Sequence, residues 1–134
     1  MVVESLFGIQ LSFASVLLRV MMGIAFMIHG YPKLKSGGKD TGEWLKGMGI
    51  PYGFGLFAGV VEFFGGIALL LGVLTSIVAA LFVLWMLALT WLSIAKLKKK
   101  FSGGWEIDLL YLVLSITIAT VGSGIFSLDR LLGI

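Results

Sequence analysis

Apolar residues along this chain form four long runs separated by short polar segments. Each run reaches the roughly 20 residues that a helix needs to cross a bilayer. The short connection Gly72-Val73-Leu74-Thr75 requires the second and third helices to form a tight antiparallel hairpin. The pattern predicts an all-α integral membrane four-helix bundle, a single transmembrane domain over residues 1 to 134. The predicted spans are about 11 to 30, 53 to 72, 75 to 95 and 106 to 126.

The connection between the first two runs has a helical pattern of its own. Asp40 or Thr41 is suited to the N-cap, and Trp44 and Leu45 supply an apolar face. Because tryptophan favours the headgroup layer, the pattern predicts a short interfacial helix on the membrane surface. An ordinary loop with one anchoring tryptophan is the alternative. Residues 4 to 9 resemble a second such segment but are too few to decide.

Composition supports a membrane protein and limits its chemistry. Hydrophobic residues make up 59% of the chain, charged residues 13%, and the mean hydropathy is +1.09. The absence of cysteine excludes thiolate nucleophiles and iron–sulfur clusters held by this chain. A single histidine, His29, also excludes bis-histidine haem within one chain. Any redox chemistry therefore has to use a bound organic cofactor or substrate.

The positive charge is concentrated at two connections between spans. The net charge is +3, and this clustering points to membrane orientation, with no nucleic-acid partner expected. Excess lysine in short loops marks the cytoplasmic side, so we predict both loops inside and both termini outside, with only Arg130 opposing. The clustered lysines are Lys33, Lys35, Lys39 and Lys46 in the first connection and Lys96, Lys98, Lys99 and Lys100 in the last.

Two ionisable residues, Arg19 and Glu62, lie near the middle of the first and second runs. A charge at that depth costs roughly 3 kcal/mol, so such residues usually face a protein interior or carry function. By helical rise both lie roughly 12 to 15 Å from the same membrane face. We therefore predict that they pair, because a guanidinium can bind a carboxylate through two hydrogen bonds. Such a pair either fixes helix register or forms a polar centre that binds or protonates a ligand.

Small residues dominate one face of the second run, with Glu62 among them. Gly55 and Gly59 form a small-xxx-small pattern, which is typical of close helix packing. Because this face lacks bulky side chains, it also has room for a flat ring. The Glu62 carboxylate on the same face favours a ligand groove as the alternative to helix packing. The face comprises Gly55, Ala58, Gly59, Gly65 and Gly66.

A second polar cluster is expected at the lysine-rich face. His29 and Lys33 end the first run, and Glu106 and Asp108 begin the fourth. The two acids suit a helix N-terminus, where unsatisfied amides favour negative charge. A histidine with acidic neighbours at the aqueous side is a natural entrance for protons, whereas the spacing is not specific for a metal site. A weak polar stripe on one helix face comprises Asp108, Tyr111 and Ser115.

An ordered set of motifs runs through the chain. The first helix reads LLRVMMGIAFMIHGYPKL, with Arg19, Gly23 and an HGxxKL-like end. Later motifs are Gly49-Ile50-Pro51, VEFFGGIALLLG around Glu62, GGWE at 103 to 106 and GSGIFSLD at 122 to 129. Over about residues 15 to 130 the chain thereby resembles the DoxX family of small four-helix membrane proteins, although Ser123 stands where that family often has proline. The matching positions are Arg19, His29, Lys33, Glu62, Glu106 and Asp129.

The resemblance implies a redox role. Relatives are similar to the small membrane subunit of thiosulfate:quinone oxidoreductases, and others are described as parts of membrane redox complexes. The expected function is therefore quinone binding or reduction beside a redox partner subunit. Arg19, His29 and Glu62 are the expected catalytic residues, since arginine stabilises negative charge on oxygen and the others deliver protons. The expected binding residues are Arg19, His29, Lys33, Gly59, Glu62 and Glu106.

Two other classes of function remain open at this stage. A small four-helix transporter or channel, working as a homo-oligomer, would also carry a central charge and glycine-rich faces. A non-catalytic scaffold would use the charged pair only to position helices for an assembly partner. A solitary titrating carboxylate would favour the transporter, whereas a paired one would not.

Overall fold

The computed structural model describes residues 2–134, and this part of the chain is helical without strands. Within it, four segments are long and apolar enough to cross a membrane: α1, α3, α4, and α5 with the turn before it. The predicted all-α membrane fold is therefore confirmed. The helices are α1 Val2–Lys35, α2 Lys39–Lys46, α3 Phe54–Leu71, α4 Thr75–Ala95, α5 Glu106–Val121 and α6 Leu128–Leu132, with an irregular turn at Phe101–Trp105.

The observed helix ends agree with the predicted spans in the middle of the chain and differ at its two ends. The hairpin between α3 and α4 is as short as predicted. In contrast, α1 has 34 residues, roughly 51 Å by helical rise, well beyond the roughly 30 Å of a bilayer core. The separate surface segment considered for residues 4 to 9 is part of this helix. At the other end α5 stops at Val121, because Gly122 has φ 82° and ψ −164°.

α1 and α3 pack closely through glycines on both helices. A Cβ atom at Gly23 would lie 2.6 Å from the carbonyl oxygen of Gly66. One at Gly30 would lie 2.5 Å from the amide nitrogen of Phe63, and one at Gly59 would lie 2.9 Å from Cβ of Lys33. The small face of α3 is thus used to bring two backbones together, which is the commoner use of such a face.

We expect Gly23→Ala to destabilise the protein by about 1–3 kcal/mol, because the added methyl group forces α1 away from α3. Gly8→Ala is the matched control, since it lies on the same helix and no atom lies within 4 Å of its added Cβ. Thermal unfolding in a mild detergent compares the two variants. Equal melting temperatures would show that the glycine contact does not limit helix approach.

The core joins the α1–α3 pair to the α4–α5 pair. At its centre the rings of Phe26 and Phe82 stack with their centroids 4.3 Å apart. Phe26 also contacts the ring of Tyr111 on α5, at a centroid distance of 5.4 Å. The core cluster comprises Met22, Phe26, Leu69, Ala79, Phe82, Met86, Leu112 and Ile118.

α2 confirms the predicted short helix in the first connection, but its start differs from the prediction. The N-cap is Gly38, with φ 78°, and no side chain caps the helix. The prediction that Asp40 or Thr41 is the N-cap is therefore wrong. Leu45 is buried, whereas Trp44 is half exposed. Gly38 also lies in close contact with Gly55, so α2 rests on the first turn of α3.

Candidate functional site

A pocket of about 370 Å³ opens at the end of the bundle where the two lysine-rich connections meet. α1, α3, α4 and α5 supply its walls, together with Trp44 of α2 and the segment from Lys99 to Gly104. Its apolar lining includes Phe26, Met86, Leu89 and Leu92. Its polar lining includes His29, Lys33, Glu62, Ser93, Asp108 and Tyr111. This pocket therefore combines apolar walls with ionisable groups.

A buried ion pair lies on one side of this pocket. Lys33 Nζ donates to Glu62 Oε2 at 2.5 Å, and the Glu62 side chain is only 3% exposed. Trp85 Nε1 donates to the other carboxylate oxygen, Oε1, at 3.3 Å. Both oxygens of a carboxylate within an apolar span are thus engaged, which offsets the cost of its burial. The ammonium group of Lys33 is partly accessible, because 24% of that side chain is exposed.

The predicted ion pair between Arg19 and Glu62 is wrong. Arg19 Nη1 donates to the carbonyl oxygen of Leu69 at 3.2 Å, and Nη2 to that of Phe126 at 2.6 Å. Leu69 lies two helical turns beyond Glu62, roughly 10 Å along α3. The depth estimate started the first helix near residue 11, whereas α1 begins at Val2 and its glycines set the register against α3. Arg19 consequently faces the hairpin end of the bundle, away from the pocket.

Arg19 belongs to a cluster that ties the chain end to the α3–α4 hairpin. Asp129 accepts the amide hydrogens of Leu74 and Thr75, at 2.5 and 2.8 Å, and so caps α4 from a distant part of the chain. Burial raises the pKa of Asp129, but the hydrogen bonds from Thr75 and Leu74 and the charge of Arg19 lower it below its ordinary value. Asp129 therefore stays ionised at neutral pH, where it caps α4.

The opposite side of the pocket carries a second polar pair. Ser93 Oγ donates to Asp108 Oδ2 at 2.5 Å, which links α4 to the first turn of α5. Tyr111 lines the pocket one turn further along α5. From the sequence, Asp108 was predicted in the polar cluster at the lysine-rich face and in a stripe with Tyr111, but Asp108, Tyr111 and Ser93 were not among the expected site residues. The three-residue spacing of Asp108 and Tyr111 was the signal that placed both on one helix face.

The structure brings together three of the predicted site residues: His29, Lys33 and Glu62 line the same pocket. Gly59 lies nearby but packs against α1, as shown by the contact its Cβ would make with Lys33. Glu106 accepts a hydrogen bond from the amide of Gly103 at 3.0 Å and so closes the turn before α5. Within residues 2–134, no three His, Asp or Glu side chains are grouped closely enough to hold a metal ion.

Comparisons with known proteins identify the family to which this chain belongs. The sequence model of the DoxX family matches residues 14–94, so the chain belongs to the DoxX family. It is also 35% identical over 115 residues to a Bacillus subtilis (strain 168) protein named "Putative oxidoreductase CatD", covering 86% of this chain and 84% of that one. No solved structure matches the chain. The protein is thus a DoxX-like membrane protein.

Proposed function

We propose that this protein binds a quinone in the pocket at its lysine-rich end and works as the quinone-interacting subunit of a membrane redox complex. The observation that carries the proposal is the Lys33–Glu62 pair, which is held within an apolar span yet lines an open pocket. A buried charge that borders a cavity is more typical of a site than of a helix-packing device. The name of the CatD relative supports a redox role.

The lining of the pocket fits a quinone ring. Its volume of about 370 Å³ lies within the roughly 300–1,000 Å³ of small-molecule sites. Phe26 and Tyr111 provide aromatic surface for a flat ring. Lys33 supplies N–H donors on the α1 side, and Tyr111 supplies a hydroxyl donor on the α5 side, so groups that can bond a carbonyl oxygen lie on two walls.

A quinone, when bound, supplies the acceptor for two electrons and two protons. Lys33 places a positive charge in the pocket, where it stabilises negative charge on a ligand oxygen. Lys33 thereby takes the role that the sequence analysis gave to Arg19. Glu62 accepts from Lys33 and from Trp85, and so holds the ammonium group beside the pocket. His29 is an exposed residue that also lines the pocket, and in this proposal it exchanges protons with the aqueous side.

Net turnover requires a partner, because this chain has no cysteine and a single histidine and so offers no set of ligands for an electron-carrying metal centre. We place the lysine-rich end on the cytoplasmic side on the basis of its loop charges. The pocket then opens toward a redox partner subunit on that side. The transporter alternative is disfavoured, because Glu62 is paired with Lys33 and bonded by Trp85.

Titration of the purified protein with a tailless naphthoquinone tests the proposal, with quenching of tryptophan fluorescence as the readout. Trp44 lines the pocket and Trp85 bonds Glu62, so both report on it. We expect saturable binding that His29→Ala and Tyr111→Phe each weaken by about tenfold, through loss of a hydrogen-bond donor to the ligand. Tyr31→Phe is the matched control, because Tyr31 is exposed and does not line the pocket.

Unsaturable quenching by the unmodified protein, or equal affinities in all of these variants, would contradict a quinone site in this pocket. Melting temperatures measured in parallel show whether each variant is folded. His29 is exposed, so its replacement is expected to leave the fold intact.

A further inference from the structure

An apolar groove of about 220 Å³ lies between α3 and α4 on the outside of the bundle. Several of its lining side chains are largely exposed, including Phe64 at 57% and Leu81 at 59%. In a membrane these side chains face lipid. The lining contains only apolar residues and glycine, namely Val60, Val61, Phe64, Gly65, Val78, Leu81 and Phe82.

The groove adjoins the pocket through one shared wall. Phe82 lines the groove and packs so tightly on Gly65 that a Cβ atom there would lie 2.6 Å from its ring. The same ring stacks on Phe26, which lines the pocket. One turn further along α4, Trp85 bonds Glu62 of the pocket. A few side chains at the α3–α4 seam therefore separate the polar pocket from the lipid-facing groove.

Along the membrane normal, the polar pocket and the apolar groove follow each other as the polar head and the apolar tail of an amphiphile do. The pocket opens at the lysine-rich end, and the groove extends from the depth of Glu62 toward the hairpin: its α3 residues lie on both sides of Glu62, and its α4 residues lie on the hairpin side of Trp85. A molecule with its polar ring in the pocket and its tail in the groove would have the orientation of a lipid. A tail leaving through the aqueous opening would instead be exposed to water at about 0.8 kcal/mol per CH₂ group.

We propose, on the basis of the proposed quinone site, that the ligand is a membrane-borne quinone with a long apolar tail, and that the α3–α4 groove holds this tail. The ring then enters the pocket sideways from the bilayer, which requires Phe82 and Trp85 to move apart, because Phe82 packs on Gly65 and Trp85 bonds Glu62. Because lipid is as apolar as the groove, the groove adds little affinity of its own. Its contribution is steric, since it leaves a tailed molecule room beside the bundle.

Filling the groove tests this inference. Val60→Trp places a large side chain in the groove from a position that is 41% exposed. Val113→Trp is the control, because it places the same side chain on α5, where valine is 53% exposed and does not line this groove. The dissociation constants of a tailless naphthoquinone and of the same ring with a prenyl tail are measured for each protein in lipid nanodiscs. Leu81→Trp is a second groove variant in case the first does not fold.

We expect Val60→Trp to weaken binding of the tailed quinone by about tenfold, as a steric clash would, with the tailless quinone unaffected and Val113→Trp unchanged for both. Equal effects on both quinones, no effect on either, or unmodified protein that binds only the tailless ring would overturn the tail groove while leaving the quinone site in place. Failure of the unmodified protein to bind either quinone would overturn the proposed function and the groove with it.

Discussion

Arg19→Leu is expected to lower the free energy of unfolding by about 3–5 kcal/mol, as for other buried charges that lose their partner. Arg19 is 1% exposed and its guanidinium group bonds the carbonyl oxygens of Leu69 and Phe126, which would lose this donor, although Leu69 keeps the amide of Gly72. Asp129, itself 5% exposed, would lose the nearby positive charge. Thermal unfolding in mild detergent, followed by circular dichroism, measures the loss.

The control for Arg19 is the other arginine of the chain. Arg130 is exposed at the C-terminal end, so Arg130→Leu should change stability by no more than about 0.5 kcal/mol. Because Arg19 lies away from the pocket, any folded Arg19→Leu protein should still bind a tailless quinone. Selective loss of binding with unchanged stability would instead place Arg19 in the functional site, as the sequence analysis expected.

Lys33→Met is expected to cost about 3 kcal/mol, because it leaves the Glu62 carboxylate in an apolar span without its positive partner. The methionine keeps most of the length of the lysine side chain, so packing changes little. Lys35→Met is the matched control, since Lys35 is exposed and lies outside the pocket lining. Melting temperatures of the two variants give the comparison, and equal values would mean that the ion pair contributes nothing to stability.

The double variant Lys33→Met/Glu62→Leu is expected to regain most of the lost stability. Removing both charges leaves no unpaired charge, although Trp85 Nε1 loses its acceptor, and buried ion pairs are often replaceable by apolar side chains. With stability recovered, any loss of quinone binding in the double variant reports on the proposed role of the pair in binding and not on its role in stability.

Much of the fold follows from local features of the sequence. Four apolar runs predict the membrane helices, and the short hairpin before Thr75 is enforced by the three residues between α3 and α4. The small residues around Gly59 predict close packing, which the contacts with α1 confirm. These features can be predicted from the sequence because each depends on residues within one or two helical turns of one another.

The partners of the buried charges were not predictable in the same way. Pairing depends on helix register, and register depends on where Gly23 and Gly30 meet α3. The predicted depth of Arg19 was counted from a helix start near residue 11. Because α1 begins at Val2, that depth is wrong by several residues. The sequence therefore identified Glu62 as a buried charge needing a partner, but assigned it to Arg19 and left Lys33 without that role.

The most direct test of the central claim is the affinity of the folded double variant Lys33→Met/Glu62→Leu for a tailless naphthoquinone. If the pair forms the polar part of a quinone site, the dissociation constant should rise by at least about tenfold relative to the unmodified protein, the equivalent of about 1.4 kcal/mol. An unchanged dissociation constant in the folded double variant would contradict the account, because the pair would then only hold α1 against α3.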